Sequence, residues 1–179
     1  MIDPVIGALL AGCFALLFAG AALHKLLDPA RFNAAFGAYG VVPPALARLS
    51  LVVPLLELTV AAGLLVRGSR AGAAATGGAL LATYGAAIAI NLARGRRDLA
   101  CGCGGPNDRR PIAAWMVWRN LGLAVLLGVS ALPWSARPLQ GADALTIGAG
   151  TAVIALLYMS FDMLLGRLQP RAALLRSSP

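Results

Sequence analysis

The sequence predicts an all-α integral membrane bundle of about five transmembrane helices, a four-helix core followed by a C-terminal helix. Of the 179 residues, 59% are hydrophobic and only 12% are charged, whereas soluble proteins average about 45–50% apolar and about 25% charged residues. Apolar stretches of about 20 residues, long enough to cross a bilayer, recur along the chain. The length allows one domain, so residues 1–179 are expected to form a single transmembrane domain in contact with lipid.

Five apolar segments are candidates for the spans, with expected bounds of 4–27, 46–66, 71–92, 112–132 and 144–165. Between the first two, Phe32, Phe36 and Tyr39 recur about once per helical turn, which predicts a short helix lying at the membrane interface. Pro54 can kink the second span, because proline leaves the Ser50 carbonyl without its helical donor.

The net charge of +8 comes almost entirely from arginine. A basic chain often binds nucleic acid, but these arginines lie between apolar runs, so they are interpreted as membrane-flanking anchors and no nucleic-acid partner is predicted. The side with the N-terminus contributes only Arg67, Arg70 and Arg137. The other side contributes Lys25, Arg31, Arg48, Arg94, Arg96, Arg97, Arg109, Arg110, Arg119, Arg167, Arg171 and Arg176. The positive-inside rule then predicts a multi-pass protein of the bacterial plasma (inner) membrane, with the N-terminus outside and the third connection in the cytoplasm.

Polar side chains within the apolar segments are candidates for a functional site, because they are costly to place in hydrocarbon. At about 1.5 Å of rise per residue, they fall in the cytoplasmic half of the bundle or near its midplane. The predicted cavity contains His24, Lys25, Glu57, Arg119 and Asn120, and Tyr84, Asn91, Tyr158 and Asp162 lie in the same half. Glu57 and Arg119 are expected to form an ion pair, because either charge alone would be expensive in lipid. The alternative is that these groups only hold the helices together by hydrogen bonds.

The third connection contains RRDLACGCGGPNDRR at residues 96–110, in which Cys101 and Cys103 are candidate reactive thiols. Nearby arginines would stabilise a thiolate, and the glycines allow the backbone to close a tight ring. A Cys-x-Cys disulfide is strained and easily reduced, which favours a dithiol/disulfide switch. A soft-metal ligand pair and an inert loop are the alternatives. The pair lacks the four ligands of a structural zinc site, so no metal is assigned. Cys13, in the first span, is expected to be a small apolar residue.

Four stretches carry a family resemblance: HKLLDPARFNAAFGAYGVVP at 24–43, PLLELTVAAGLLV at 54–66, CGCGGP at 101–106 and WRNLGLAVLL at 118–127. Together they resemble the methylamine utilisation MauE family, which is related to DoxX-like membrane proteins. The resemblance implies a membrane protein needed for maturation of the disulfide-rich small subunit of methylamine dehydrogenase, acting beside a thioredoxin-like partner. The positions that it implicates are His24, Lys25, Asp28, Glu57, Cys101, Cys103, Arg119 and Asn120.

The favoured function is that of a membrane thiol-redox protein that supports disulfide formation or maturation of exported proteins. Cys101 and Cys103 would be the catalytic pair of a thiol-disulfide oxidoreductase, with the polar cavity behind them. No cofactor is required by the sequence, although the cavity would admit a quinone by analogy with other membrane disulfide enzymes. The alternatives are a soft-metal or small-molecule transporter and a non-catalytic scaffold for a thioredoxin-like partner.

Overall fold

The computed structural model describes residues 1–41, 50–99, 111–135 and 137–176, and from residue 166 onward only the course of the helix. Six helices occupy these residues: α1 (Pro4–Leu27), α2 (Pro29–Ala38), α3 (Val52–Leu65), α4 (Arg70–Ala93), α5 (Ala114–Ser130) and α6 (Gly141–Arg176). The prediction of an all-α membrane bundle is confirmed.

Helices α1, α3, α4 and α5 form a closed ring in which each helix runs antiparallel to its neighbours. In this ring α1 packs on α3, α3 on α4 and α4 on α5, and α5 returns to α1. Helix α6 lies outside the ring along α1, where a side chain on Gly12 would meet Thr151 Oγ1 at 3.0 Å. The predicted four-helix core plus a C-terminal helix therefore describes the observed architecture.

The two ends of the bundle are closed by different main-chain hydrogen bonds. At the end where α1 begins, the amino-terminal end, the Ile2 N–H donates to the Pro133 carbonyl at 3.0 Å. At the opposite end, the loop end, the Ile112 N–H donates to the Leu99 carbonyl at 3.0 Å. The flanks of residues 100–110 are thus joined to each other at the loop end.

The five predicted spans differ in length. Pro4–Leu27, Arg70–Ala93 and Gly141–Leu165 are long and apolar enough to cross a membrane, whereas Val52–Leu65 and Ala114–Ser130 are apolar but shorter. Short helices can still serve as spans inside a bundle, because the bilayer thins or flanking side chains reach the interface at modest cost.

The second span begins later than the sequence predicts. Residues 42–49 lie outside the described part of the chain, and α3 begins at Val52 after a turn of 3₁₀ helix at Ser50. Pro54 therefore lies in the first turn of α3. Backbone N–H groups in the first turn have no acceptor within the helix, so the N–H that proline lacks costs no helical hydrogen bond there. The reason given for a kink at Pro54, the loss of a hydrogen bond within the span, therefore does not apply.

The short helix predicted between the first two spans is confirmed as α2. The Asp28 carboxylate caps it by accepting a hydrogen bond from the Arg31 N–H at 3.0 Å. Phe32 and Phe36 pack with ring centroids 5.8 Å apart. The chain leaves the helix through Gly40, whose φ of 58° is readily adopted only by glycine.

Helix α4 packs closely on α1 and α5 at Gly77 in the core of the ring. We expect Gly77→Ala to lower the thermal unfolding midpoint in detergent, because a Cβ atom there would lie 2.8 Å from Leu127 Cδ2 and 3.0 Å from the Phe18 ring. Overpacking of this kind costs about 1–3 kcal/mol. Gly78→Ala is the matched control, because its Cβ would meet nothing within 4 Å. Equal midpoints for the two variants would contradict this packing.

Candidate functional site

A buried ion pair joins α1 to α3 near the loop end. Lys25 Nζ lies 2.6 and 2.8 Å from the two carboxylate oxygens of Glu57. Glu57 is fully buried and Lys25 is only 7% exposed. Lys25 lies in the last turn of α1, yet its side chain turns into the bundle, where Nζ also lies 3.5 Å from the Ala21 carbonyl oxygen. The contact compensates two charges that would each be strongly destabilising if buried alone.

Tyr84 of α4 completes this site. Its hydroxyl donates to Glu57 Oε1 at 2.8 Å, and its ring centroid lies 5.5 Å from Lys25 Nζ. Phe32 of α2 lies on another side of the ammonium, with its ring centroid 5.7 Å away. We call Lys25, Glu57 and Tyr84 the polar cluster. It holds an ammonium, a carboxylate and a phenol in hydrogen-bond contact, which are groups able to hold or pass a proton.

The predicted ion pair between Glu57 and Arg119 is wrong. Arg119 Nη1 of α5 lies 2.6 Å from Asp162 Oδ1 of α6, and both side chains are 17% exposed. Glu57 instead contacts Lys25 of α1 and Tyr84 of α4, and these two helices flank α3 in the ring. Helices α3 and α5 occupy opposite corners of the ring, so equal depth in the membrane does not make their side chains neighbours.

The remaining residues predicted to line the cavity lie apart from the polar cluster. The His24 side chain is exposed. Asn120 is buried, but its Nδ2 donates to the Met116 carbonyl of the same helix at 2.7 Å, and its Cβ packs against Gly85. Of the five residues predicted for the cavity, the structure brings together only Lys25 and Glu57.

A second buried polar group anchors the loop end. Asn91 is fully buried at the end of α4, and its Nδ2 donates to the Tyr39 carbonyl at 3.1 Å. Arg96 Nη1 donates to Asn91 Oδ1 at 3.0 Å, and Nη2 donates to the Ala38 carbonyl at 2.6 Å. These bonds fasten the start of the third connection to the end of α2. The sequence suggested a role for Arg96 only through its charge near the cysteines.

Cys101 and Cys103 lie outside the described residues. The flanks of their segment are described: Leu99 packs against a cluster of buried side chains that includes Ile112 and Met116. The segment therefore leaves and rejoins the bundle at the loop end, the end near which the polar cluster is buried. Cys13, by contrast, is a partly buried free cysteine within α1.

The chain is similar over most of its length to proteins of one family. The family model described as methylamine utilisation protein MauE matches residues 3–133. The chain belongs to the MauE family. A MauE protein of Paracoccus versutus is 40% identical over 166 residues, which cover 92% of this chain and 89% of the relative. One of Paracoccus denitrificans is 37% identical over 173 residues, covering 93% and 90%. One of Methylophilus methylotrophus is 34% identical over 167 residues, covering 92% and 88%. No solved structure matches the chain.

The part of the chain matched by the MauE family model coincides with the ring and α2. The match ends at residue 133, just after α5 and before α6 begins at Gly141. The polar cluster lies wholly within the matched part. The pair of Arg119 and Asp162 instead connects that part to α6. The resemblance predicted from the sequence is thus confirmed at the level of the family.

Proposed function

We propose that this MauE-family protein acts in methylamine utilisation as a membrane thiol-redox protein that supports disulfide formation or maturation of an exported protein. Its curated relatives are named methylamine utilization proteins. One observation carries the assignment to thiol chemistry. The segment that contains Cys101 and Cys103 is fastened at both flanks to the end of the bundle near which the polar cluster is buried. A thioredoxin-like protein is the proposed partner.

The chemistry is thiol–disulfide exchange in two steps. A client thiolate attacks the Cys101–Cys103 disulfide and forms a mixed disulfide, and one cysteine of the pair leaves as a thiolate. The second client thiolate then attacks the mixed disulfide, which yields an oxidised client and a reduced pair. Two electrons and two protons thus pass from client to pair. Positive charge near the pair favours the thiolate form, and the side chains of Arg94 and Arg97 are exposed on the approach to it.

Reoxidation of the pair requires an acceptor of two electrons and two protons, and a quinone is the acceptor class proposed. The carbonyl oxygens of a quinone would need hydrogen-bond donors, which the Lys25 ammonium and the Tyr84 hydroxyl could provide. Both donors already bind Glu57. A quinone at the polar cluster would have to take over one of these hydrogen bonds or accept a hydrogen bond from the third N–H of the Lys25 ammonium, whose nitrogen lies 3.5 Å from the Ala21 carbonyl oxygen.

The redox proposal is tested by counting free thiols. We expect mild oxidation of the purified protein to remove two free thiols together, at Cys101 and Cys103, and dithiothreitol to restore both. Mass measurement after alkylation gives the count and the positions. Cys13 serves as the internal reference, because its place within α1 keeps it from following the cycle. If Cys101 and Cys103 stay reduced under mild oxidant, the redox proposal fails.

The orientation is tested separately, by labelling intact cells with a membrane-impermeant maleimide under reducing conditions. The excess of positive charge at the loop end predicts that Cys101 and Cys103 react only after permeabilisation. A Cys13→Ala background restricts the label to these two cysteines, since the chain has three. Labelling of intact cells would reverse the predicted orientation. It would also place the pair on the same side of the membrane as an exported client. With the pair in the cytoplasm, the thiol that exchanges directly with it belongs instead to a cytoplasmic partner.

A further inference from the structure

The amino-terminal end of the bundle contains an open cavity of about 520 Å³. It lies between the start of α1, the turn from α3 to α4 and the connection from α5 to α6. Its lining includes Arg67, Arg70 and Arg137, which are the three basic residues that the sequence assigns to this side of the membrane. The volume lies within the range of about 300–1,000 Å³ that is usual for small-ligand pockets.

One of these arginines is neutralised and held in place by carboxylates. Arg137 donates to Asp143 at 2.9 and 3.2 Å and lies 3.4 Å from Asp3. A hydrogen bond from the Val5 N–H, followed by the contact with Arg137, lowers the pKa of Asp3. Asp3 is therefore charged at neutral pH. Asp3 and the ion-paired Asp143 more than compensate Arg137, so these three groups together carry a net charge of −1. Arg137 forms a wall of the cavity rather than its source of positive charge.

Arg70 is held in place without being neutralised. Its guanidinium carbon lies 3.5 Å above the ring of Trp134, and Nε donates to the Leu64 carbonyl at 3.2 Å. The Trp134 ring is itself fixed, because it packs so closely on Gly7 that a Cβ atom there would lie 2.2 Å from it. The remaining N–H donors of the Arg70 guanidinium are left for other partners.

Arg67 adds a second uncompensated charge to the same cavity. Its side chain is exposed, and among the described residues neither Arg67 nor Arg70 has a carboxylate within ion-pair distance. Two guanidinium groups around one cavity repel each other, and a bound anion would offset that repulsion. The planar donor fork of arginine matches phosphate oxygens particularly well.

We propose that this cavity binds the phosphate group of a ligand through Arg67 and Arg70, either a phospholipid headgroup or a free phosphate. The site is preformed, because prolines line it and fix its backbone: Pro4, Pro133 and Pro138. Arg70 is the first residue of a membrane-spanning helix, so the cavity opens at the depth where lipid phosphates lie. The site is independent of the thiol chemistry proposed for the loop end.

The test uses the full chain in a neutral detergent and two probes. Phosphatidylglycerol is titrated and bound lipid is read by native mass spectrometry, and inorganic phosphate is titrated separately by calorimetry. Arg67→Gln is the main variant, because its exposed side chain leaves the packing intact, and the double variant with Arg70→Gln removes both charges. Arg94→Gln, which removes an exposed arginine at the loop end, is the control for loss of one positive charge.

Loss of a charged hydrogen bond is expected to weaken phosphatidylglycerol binding about tenfold in Arg67→Gln, with a further loss in the double variant and none in Arg94→Gln. If inorganic phosphate gives no heat, the ligand is a lipid headgroup. If inorganic phosphate binds with the same dependence on Arg67, the ligand is a free phosphate. Absence of binding for both probes, or an equal loss in Arg94→Gln, would overturn the proposal.

Discussion

Replacing Lys25 by methionine should lower the free energy of unfolding by about 3–5 kcal/mol, the cost of breaking a buried ion pair by removing one partner. The cost is high because Glu57 is fully buried and would keep only the hydrogen bond from Tyr84. Methionine preserves much of the length and apolar contact of the lysine side chain, so the loss is electrostatic. Unfolding in detergent by a denaturant titration gives the free energy directly.

A double-mutant cycle identifies the partner of Glu57. Lys25→Met combined with Glu57→Gln should recover much of the loss, because no unpaired charge remains. Arg119→Leu is the matched control, since Arg119 pairs with Asp162 of α6. Its effect should add to that of Glu57→Gln within about 0.3–0.5 kcal/mol, as for independent sites. A larger coupling of Glu57 to Arg119 than to Lys25 would contradict the observed pairing.

Replacing Cys101 or Cys103 by serine should abolish methylamine-dependent growth in a strain that lacks the native gene. Serine cannot form the disulfide, so the client thiolate has no disulfide to attack and neither exchange step can proceed. The variants should unfold at the same denaturant concentration as the parent protein, because a hydrogen bond between Ile112 and Leu99 joins the two flanks of the loop.

Cys13→Ala is the control for the cysteine variants and should support growth, because this cysteine is a partly buried residue of α1. Growth of the strain with both Cys101 and Cys103 replaced by serine would end the redox proposal. The alternative of a non-catalytic scaffold would then be favoured, because it requires no thiol chemistry.

The architecture could be predicted from the sequence because it depends on the length of apolar runs and on the spacing of residues along the chain. Long apolar runs set the number of helices, and the recurrence of Phe32 and Phe36 indicated α2. Helix starts were less certain: the apolar run around Pro54 continues across the true beginning of α3 at Val52. Hydrophobicity alone does not distinguish a helix from the apolar chain that leads into it.

The partners in the site could not be predicted, because depth along a helix says nothing about rotation around its axis or the order of helices in a ring. Glu57 and Arg119 have compatible charge and depth, yet they face different neighbours. Lys25 was predicted to lie in the same cavity as Glu57 but not to be its ion-pair partner, because long cationic side chains usually extend outward from a helix end. Its inward turn follows from the adjacency of α1 and α3, which no local pattern encodes.

The hydrogen bond between Ile2 and Pro133 has a consequence for the order in which the chain assembles during synthesis. Helix α1 enters the membrane first, but the partner that closes its beginning is made only after α5. Until then the beginning of α1 lacks this main-chain hydrogen bond. The salt bridge from Asp3 to Arg137 comes later still. A nascent chain halted anywhere before Pro133 therefore carries an α1 without this closure.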